Sequence, residues 1–358
     1  MDIPARYPGD ARTIAMRIKN PLQALGRLLY NRAPIEAQLI VTRRCNLSCG
    51  YCTEYDGHSP EIPFDTLRER IDALHQLGVL NIALLGGEPL LHRRIAEVVA
   101  HADRQAQVSI TTNGFLISDR LIEDLNAAGL ANMQVSIDAL GTDASRYIQK
   151  TLKPLLPKLK RLAERAAFDV HLNVVLCDET REQFEEMLAE LRRFPFWMSM
   201  NLLHDDRGRV KVGGPSFEAV WNRHYEGGRA ISYLERDYGR RLLRGEHPRW
   251  RCRAGSRFLY VDEVGHVQYC SAQRGRLDIP LAEYTKMDLR RESRTDKGCE
   301  EGCAMLCVYR TSLLDNAPIA LARSFLVGVS KGVLGRPAAE RPGTVTAASL
   351  TPERSPGL

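Results

Sequence analysis

Three cysteines lie within eight residues of one another in the segment CNLSCGYC, residues 45–52. Cys45, Cys49 and Cys52 are separated by three residues and then by two, so their thiolates can bind a single metal centre. A structural zinc ion would need a fourth protein ligand. An iron–sulfur cluster can use three thiolates for three irons and leave the fourth iron open to another ligand. The spacing alone leaves both alternatives open.

A second group of five cysteines lies nearer the C-terminus. Its members are Cys252, Cys270, Cys299, Cys303 and Cys307. Five thiolates are enough for one four-iron cluster with one cysteine spare, and a zinc site on the same residues is the alternative. If the segment with the last three cysteines were helical, all three would share one face, so their spacing cannot choose between them. The ninth cysteine, Cys177, stands alone in VHLNVVLCDE and is expected to be a buried, unreactive thiol.

Composition and charge are those of an ordinary globular protein. The 358 residues are 44% hydrophobic, 26% charged and 7% aromatic, with a formal net charge of +6. This small and dispersed charge argues against a nucleic-acid partner, and no segment has the apolar length of a membrane span. The N-terminus lacks the pattern of a secretory signal. We therefore expect a cytoplasmic protein, in which clustered cysteines bind metal more often than they form disulfides.

Short β-rich segments alternate with amphipathic segments of helical length, and this alternation predicts parallel βαβ units. The predicted strands are 37–43, 81–86, 107–112, 132–137, 170–176 and 196–203. The predicted helices are 64–78, 93–103, 118–129, 152–166 and 180–194. Asp65, Ser118, and Asp178 or Thr180 are the predicted N-caps of three helices. A partial (β/α)6 barrel and an open doubly wound sheet both fit the pattern.

The alternation ends near residue 210, and the chain divides into five predicted parts. They are an N-terminal amphipathic helical segment (1–34), the α/β unit (35–210), a linker and cysteine-rich region (211–315), an amphipathic helix (316–334) and a disordered tail (335–358). Within the cysteine-rich region, RFLYVDEVGHVQYC predicts a β-hairpin that turns between Asp262 and Gly265. The two basic amphipathic helices could contact an anionic membrane surface or pack on the α/β unit.

The segment CNLSCGYC resembles the cysteine motif of the radical S-adenosylmethionine (radical SAM) superfamily, with Tyr51 as its aromatic residue. The resemblance implies a partial (β/α)6 TIM-type barrel whose [4Fe–4S] cluster is bound by Cys45, Cys49 and Cys52. It implies that S-adenosylmethionine chelates the open iron through its amino and carboxylate groups. It also implies that one electron from the cluster cleaves the sulfonium, and that the resulting 5′-deoxyadenosyl radical abstracts hydrogen from a substrate.

Later strand ends resemble the other cofactor-binding positions of the superfamily, in the same order. In GGEP the glycines allow close backbone approach, and Glu88 would accept hydrogen bonds from the ammonium of the methionine moiety. TTNG and SID match positions that contact the methionine or the ribose, Arg146 matches a residue that pairs with the methionine carboxylate, and the fifth strand matches a segment that packs on adenine. The implied cofactor-binding residues are Tyr51, Gly86, Gly87, Glu88, Pro89, Thr112, Asn113, Ser136, Asp138, Arg146, Val174 and Leu176.

The segment GCEEGCAMLC, residues 298–307, resembles the start of a SPASM or twitch extension, which carries auxiliary iron–sulfur clusters in many radical SAM enzymes. The match is incomplete, because a full SPASM domain has seven cysteines and a Cx2C pair that this chain lacks. The resemblance implies one auxiliary [4Fe–4S] cluster that assists oxidation or bond formation. Its ligands would be Cys252, Cys270 and two of the three cysteines at 299, 303 and 307.

Residues at other strand ends are candidates for substrate binding or proton transfer. His204, Asp205 and Asp206 follow the sixth predicted strand, and Tyr55 follows the cysteine loop between Glu54 and Asp56. A capped or solvated acidic loop is the alternative for residues 204–206. Arginines at 240, 241, 244, 249, 251 and 253 could line a pocket for an anion, or they could form a solvated face.

We therefore predict an enzyme that acts on a small molecule, a sugar or a lipid-linked substrate, with a flavodoxin or ferredoxin as reductant. The roughly 35 residues before the first strand are too few for the recognition domain that related peptide-modifying enzymes often carry. A maturase of a ribosomally made peptide is the alternative prediction. A second alternative is a non-enzymatic iron–sulfur electron carrier or zinc-stabilised binding module, against which GGEP and Arg146 argue, because a carrier needs no sulfonium site.

Overall fold

The computed structural model describes residues 26–28, 33–141, 147–225 and 230–320. Four predictions lie wholly or largely outside the described residues. These are the role of Arg146, the N-terminal helix, the helix at 316–334 and the disordered tail. None of the described helices is both long enough and apolar enough to cross a membrane.

One sheet of nine strands has the order β6-β5-β4-β3-β2-β1-β7-β8-β9. Its six parallel strands coincide with the six predicted ones: β1 (Glu36–Thr42), β2 (Asn81–Gly86), β3 (Gln107–Thr112), β4 (Asn132–Ser136), β5 (Asp169–Leu176) and β6 (Trp197–Leu202). The predicted hairpin is formed by β7 (Phe258–Val261) and β8 (His266–Gln268), with β9 (Ile279–Pro280) beside it. Since β7 pairs with β1 in parallel, the cysteine-rich region extends the same sheet.

Helices follow the strands as predicted, and further helices occur in the C-terminal part. The five predicted helices are α1 (Phe64–Leu77), α2 (Ile95–Ala102), α3 (Asp119–Ala127), α4 (Leu152–Arg165) and α5 (Asp178–Leu191). The others are α6 (Pro215–His224), α7 (Ala230–Leu243), α8 (Lys286–Glu292) and α9 (Leu306–Asn316). Helix α7 falls in the arginine-rich segment.

Only one of the three predicted N-caps is correct. The hydroxyl of Ser118 accepts a hydrogen bond from Leu121 N and caps α3. Helix α1 instead begins after Pro63, so Asp65 lies inside its first turn. Helix α5 begins after Cys177, which places Asp178 at the first helical position rather than at the cap. Negative charge is favourable throughout a first helical turn, so composition there does not identify the cap.

The two faces of the sheet differ sharply in polarity. Leu39, Ile82 and Leu172 point toward the helices and are fully buried, as are Leu67 and Ile71 of α1. The residues between them point to the opposite face and are largely polar in β3 to β6. A strand places successive side chains on opposite faces, so this alternation separates the apolar core from a second, polar surface.

The polar face is concave. The guanidinium of Arg310 in α9 acts on both Glu36 in β1 and His171 in β5. Burial raises the pKa of Glu36 and Arg310 opposes that shift, whereas burial and Arg310 together lower the pKa of His171 to about 3. Four strand spacings separate β1 from β5, which is about 19 Å in a flat sheet. Arg310 thus acts on the polar side of both strands, and the open parallel sheet is consistent with the predicted partial barrel.

Candidate active site

The end of β2 is pressed against the backbone that leads into the cysteine loop. A Cβ on Gly86 would lie 2.0 Å from the carbonyl oxygen of Thr42, and one on Gly87 would lie 2.3 Å from that of Arg44. Gly87 N donates to Thr42 O at 2.8 Å, and Glu88 N donates to Arg44 O at 2.8 Å. The two glycines are required because any side chain here would separate the two strand ends.

Glu88 joins the ends of β2 and β3. Its side chain is fully buried and accepts hydrogen bonds from Leu90 N at 3.0 Å, Thr112 Oγ1 at 2.7 Å and Asn113 N at 2.7 Å. Burial raises the pKa of Glu88, and these three donors oppose the shift. An ionised carboxylate has about four acceptor positions, so one is left for a ligand such as an ammonium.

Asn113 extends this network to the cysteine loop. Its amide nitrogen donates to Asn46 Oδ1 at 2.8 Å and lies 3.7 Å from Cys45 Sγ. The GGEP and TTNG segments, which the sequence only suggested as separate sites, are thus connected to each other and to the first cysteine through Glu88 and Asn113.

The three cysteines of the loop share one environment. Leu47 N donates to Cys45 Sγ at 3.3 Å, and Glu54 N donates to Cys52 Sγ at 3.4 Å. Burial raises the pKa of Cys45, with further increases from Glu88 and from the other two cysteines, and burial also raises the pKa of Cys49. Three soft donors with N–H groups directed at sulfur fit the ligand set of an iron–sulfur cluster.

A segment that the sequence analysis overlooked holds the cysteine loop in place. Gly50 N donates to the carbonyl oxygen of Tyr147 at 3.0 Å, and Ser48 N donates to Gln149 Oε1 at 2.8 Å. A Cβ on Gly50 would lie 2.7 Å from the ring of Tyr147, so the loop passes close to this residue. No local motif marks residues 147–150, because their partners lie about 100 positions earlier in the chain.

Asp138 and Lys150 bind the aromatic residue of the loop. The hydroxyl of Tyr51 donates to Asp138 Oδ2, and Lys150 Nζ donates to the same hydroxyl at 2.7 Å. The second carboxylate oxygen of Asp138 accepts from Val175 N at 3.0 Å. Burial lowers the pKa of Lys150, but Asp138 and then the three cysteines of the loop raise it to a greater extent. Lys150 is thus a cation that faces the cysteine loop.

The remaining predicted cofactor-binding residues fall into two groups. Ser136 ends β4 on the concave side, where it pairs with Asn173 of β5. Val174 and Leu176 are fully buried and alternate with the concave positions, so they pack toward the helices. The hydrophobic residue of β5 on the concave side is Val175, which packs against the same small cluster as Tyr51 and Tyr147. If the fifth strand packs on adenine, Val175 is the residue that the pleat places there.

Residues 39–191 match the family described as the radical SAM superfamily. This part of the chain is thus similar to the radical SAM domain. A probable GTP 3′,8-cyclase of Archaeoglobus fulgidus is 33% identical over 121 residues, which are 33% of this chain and 40% of that protein. The GTP 3′,8-cyclase of Mycolicibacterium smegmatis is 34% identical over 165 residues, which are 43% of this chain and 44% of that protein. The chain thus spans about half the length of the curated relatives it matches.

Solved structures are similar to a larger part of the chain. Streptococcus suis SuiB bound to S-adenosylmethionine has a TM-score of 0.54 and 17% identity, and the match covers 80% of this chain and 73% of SuiB. Native anSMEcpe with bound AdoMet has a TM-score of 0.53 and 14% identity, with 82% of this chain and 99% of that one covered. At these identities the likeness concerns the fold alone.

The candidate proton-transfer residues border the radical SAM domain, and two of them have structural roles. Asp205 Oδ1 accepts hydrogen bonds from Arg207 N at 2.9 Å and Arg209 N at 2.8 Å, so its carboxylate forms a tight turn. His204 Nδ1 is 2.7 Å from the carbonyl oxygen of Asp205. Asp206 is exposed, and Tyr55 is half-buried beside the cysteine loop. Their catalytic roles stay predictions, and the alternative of a turn-forming acidic residue describes Asp205.

The six arginines do not converge on an anion pocket. Arg240, Arg241 and Arg244 form ion pairs with Asp237, Glu246 and Glu218 at 2.6, 2.8 and 2.6 Å. Arg251 donates to the carbonyl oxygen of Arg294, Arg253 pairs with Asp315 at 3.1 Å, and Arg249 is exposed. Arg240, Arg241 and Arg244 therefore agree with the alternative of a solvated face. Arg251 and Arg253 instead connect C-terminal segments.

A polar network connects the cysteine loop to the C-terminal part of the sheet. Glu54 Oε2 accepts from Tyr260 Oη at 2.6 Å and from Arg274 Nη2 at 2.8 Å. Arg274 also pairs with Glu263 at 3.3 Å, and Arg43 lies 3.6 Å from Glu54. Glu54 follows Cys52 by two positions and Arg274 follows Cys270 by four, so the network spans the two cysteine groups.

Four of the five C-terminal cysteines line one small enclosed cavity. They are Cys252, Cys270, Cys299 and Cys303. The residues from 298 to 305 are not helical, so Cys299, Cys303 and Cys307 do not share one helix face. Cys307 instead lies in the first turn of α9, near Glu36 and Arg310. Burial raises the pKa of Cys252 and of Cys303 to about 12, and it raises that of Cys270 well above its usual value.

The isolated Cys177 behaves as predicted. It is buried, its sulfur lies 3.2 Å from Thr180 Oγ1, and burial raises its pKa to about 11. A thiol that remains protonated at neutral pH is a poor nucleophile.

Proposed function

We propose that the protein reductively cleaves S-adenosylmethionine to a 5′-deoxyadenosyl radical and abstracts hydrogen from a small-molecule or lipid-linked substrate. One observation carries the proposal: the three-cysteine loop, Glu88 and Asn113 belong to one hydrogen-bonded network at the carboxyl ends of β1, β2 and β3. Parallel α/β folds place active sites at this edge. An electron carrier would need the thiolates but would have no use for a buried acceptor such as Glu88.

Different residues of the chain would bind the cluster and S-adenosylmethionine. Cys45, Cys49 and Cys52 would hold a [4Fe–4S] cluster, which together with S-adenosylmethionine supplies the radical chemistry when bound. Glu88 keeps one acceptor position for the ammonium of the methionine moiety. Lys150 provides a fixed positive charge that favours the thiolate form of the three cysteines.

An auxiliary cluster is the second part of the proposal. Cys252, Cys270, Cys299 and Cys303 around one cavity match the four thiolates that a [4Fe–4S] cluster uses. Cys307 is then the spare cysteine. Zinc bound by the same four thiolates is the alternative, and it would stabilise the fold without transferring electrons.

A peptide substrate is the second candidate. SuiB bound to the precursor peptide SuiA has a fold that matches 80% of this chain with a TM-score of 0.56, and the match extends beyond the radical SAM domain. The GTP 3′,8-cyclases match a smaller part, so their substrate carries over less directly. A flavodoxin or ferredoxin is the proposed reductant in either case, and a cytoplasmic location is part of the same proposal.

The test is anaerobic reconstitution followed by counts of iron and sulfide and an assay for 5′-deoxyadenosine with a strong reductant. We expect iron for two clusters and formation of 5′-deoxyadenosine from S-adenosylmethionine alone. Changing Cys45, Cys49 and Cys52 together to alanine should remove about half of the iron and abolish the product. A wild-type protein that never cleaves S-adenosylmethionine, together with unchanged iron in the triple variant, would refute the proposal. Zinc without iron in the triple variant would assign the second site to zinc.

A further inference from the structure

The concave face of the sheet carries a row of neutral polar side chains. These residues are Gln38, Gln134, His171, Asn173, Ser199 and Asn201. The strand register places Gln134 beside His171, and Asn173 beside Ser199. All except Asn173 are partly accessible, whereas their neighbours along the strands are mostly buried toward the helices. The row therefore forms a surface that a ligand can reach.

Hydrogen bonds within the row fix these side chains in place. The ring nitrogens of His171 lie 3.0 Å from Asn132 Oδ1 and 2.8 Å from Gln134 Oε1. Asn173 Oδ1 accepts from Ser199 Oγ and from Asn201 Nδ2, both at 2.9 Å. A side-chain amide has two donor hydrogens and two acceptor positions. These bonds use only part of that capacity, so the amide groups of Asn173 and Asn201 keep further donor and acceptor positions for a ligand.

The positive charges that border the row are already paired. Strands β1 to β6 contain no lysine or arginine. Arg310 bonds to the carboxylate of Glu235 and also faces Glu36. Lys150 lies 3.6 Å from Asp138 Oδ2 and donates to Tyr51. Burial keeps His171 neutral at physiological pH, because its pKa is lowered to about 3. The strands that carry the row thus contribute no cation, and Arg310 and Lys150 each have a carboxylate partner.

We propose that this face binds an uncharged, polyhydroxylated substrate, such as a sugar, and not a phosphate-bearing compound. A hydroxyl both donates and accepts, and it can satisfy the amide and hydroxyl groups of the row simultaneously. A phosphate would lose its hydration without gaining the charged donors that compensate for that loss. The inference rests on the proposed function and narrows its substrate class. A neutral substrate would distinguish this protein from the relatives that are named GTP 3′,8-cyclases.

The test uses the reconstituted full chain with S-adenosylmethionine and a strong reductant. Small molecules extracted from cells are separated on an anion exchanger into an unretained neutral fraction and a retained anionic fraction. GTP serves as a defined anionic probe. The readout is the rate of 5′-deoxyadenosine formation relative to the rate without added extract. We expect the neutral fraction to raise this rate at least about tenfold, and periodate, which cleaves vicinal diols, to destroy the effect.

Substitutions test whether the stimulation depends on the row. Asn201→Leu should reduce the stimulation at least about tenfold, whereas Gln76→Leu, on the exposed side of α1, should leave it unchanged. Stimulation by the anionic fraction or by GTP, or no stimulation by the neutral fraction, would overturn the inference while basal cleavage of S-adenosylmethionine still supports the proposed function. Loss of basal cleavage in the wild type would overturn both. The fraction experiment needs no variant, so misfolding of Asn201→Leu would not prevent a decision.

Discussion

Lys150 Nζ lies 2.7 Å from the hydroxyl of Tyr51, 99 residues earlier in the chain. This contact attaches the segment at 147–150 to the loop that carries Cys49 and Cys52. The ammonium also lies over the Tyr51 ring, 5.0 Å from its centroid. Since Asp138 binds both residues, a cation, a phenol and a carboxylate form one unit next to the cysteines.

The substitution Lys150→Met should weaken cluster binding. It removes a cation that faces the three cysteines and leaves the carboxylate of Asp138 without its positive partner. Loss of a group that supports metal ligands commonly lowers metal affinity about 10- to 100-fold. We expect slower reconstitution and less iron at the first site, measured by iron content and by electron paramagnetic resonance. Lys160→Met, at an exposed position of α4, is the control, and equal iron in both variants would contradict the prediction.

Serine substitutions should distinguish Cys303 from Cys307. Cys303 lines the cavity with three other cysteines, whereas Cys307 lies in α9 near Arg310. In a chain that already lacks the first three cysteines, Cys303→Ser should lose most of the remaining iron. Cys307→Ser in the same chain should retain it. If Cys303→Ser retained the iron and Cys307→Ser lost it, Cys307 would be the cluster ligand and Cys303 the spare cysteine.

The Glu54–Arg274 pair should stabilise the connection between the two cysteine groups. Arg274→Gln leaves Glu54 and Glu263 without one of their cations, so the free energy of unfolding should fall by about 1–2 kcal/mol, measured by urea denaturation. Arg290→Gln, at an exposed position of α8, should change it by less than about 0.5 kcal/mol. An equal loss in both variants would show that the network contributes nothing specific.

His171 should make the protein sensitive to acid. Its pKa is about 3 in the folded state and about 6.5 when unfolded, so the unfolded chain binds more protons between these values. The stability of the fold is unaffected by this residue above pH 6.5 and falls as the pH decreases below it. At pH 5 the loss is about 2 kcal/mol relative to pH 7.5.

Two variants isolate this contribution. His171→Gln should lose about 2 kcal/mol less than the wild type between pH 7.5 and pH 5 in urea denaturation. His58→Gln removes a histidine whose side chain is 88% exposed and should follow the wild type. Parallel pH dependence in all three proteins would show that His171 is protonated in the folded state.

Local patterns predicted the parallel strands well, because each has a buried alternate face that its own residues encode. The strand β5 was expected at 170–176 and spans Asp169–Leu176. The same periodicity did not separate its two faces: Val174 and Leu176, the predicted adenine contacts, point toward the helices, and Val175 lies on the concave side. A shift of one position moves a side chain to the other face of a strand, so a motif match accurate to one residue is not accurate enough.

Lys150 and Arg274 were missed for a different reason. Each is one of 50 lysines and arginines, and neither has a motif around it. Their significance comes from the partners that the fold brings to them, Tyr51 in one case and Glu54 in the other. The six clustered arginines attracted attention by their density, although the structure pairs most of them locally.

The sequence by itself predicted the type of chemistry, because the spacing of Cys45, Cys49 and Cys52 and the order of the strand-end motifs are properties of the chain. It also determined the six parallel strands, since their periodicity is local. Tertiary structure alone decided that Cys303 and not Cys307 lines the second cysteine cavity, and that polar side chains from separate strands form one row on the concave face. Both depend on which distant residues become neighbours when the sheet curves, and no local spacing encodes that distance.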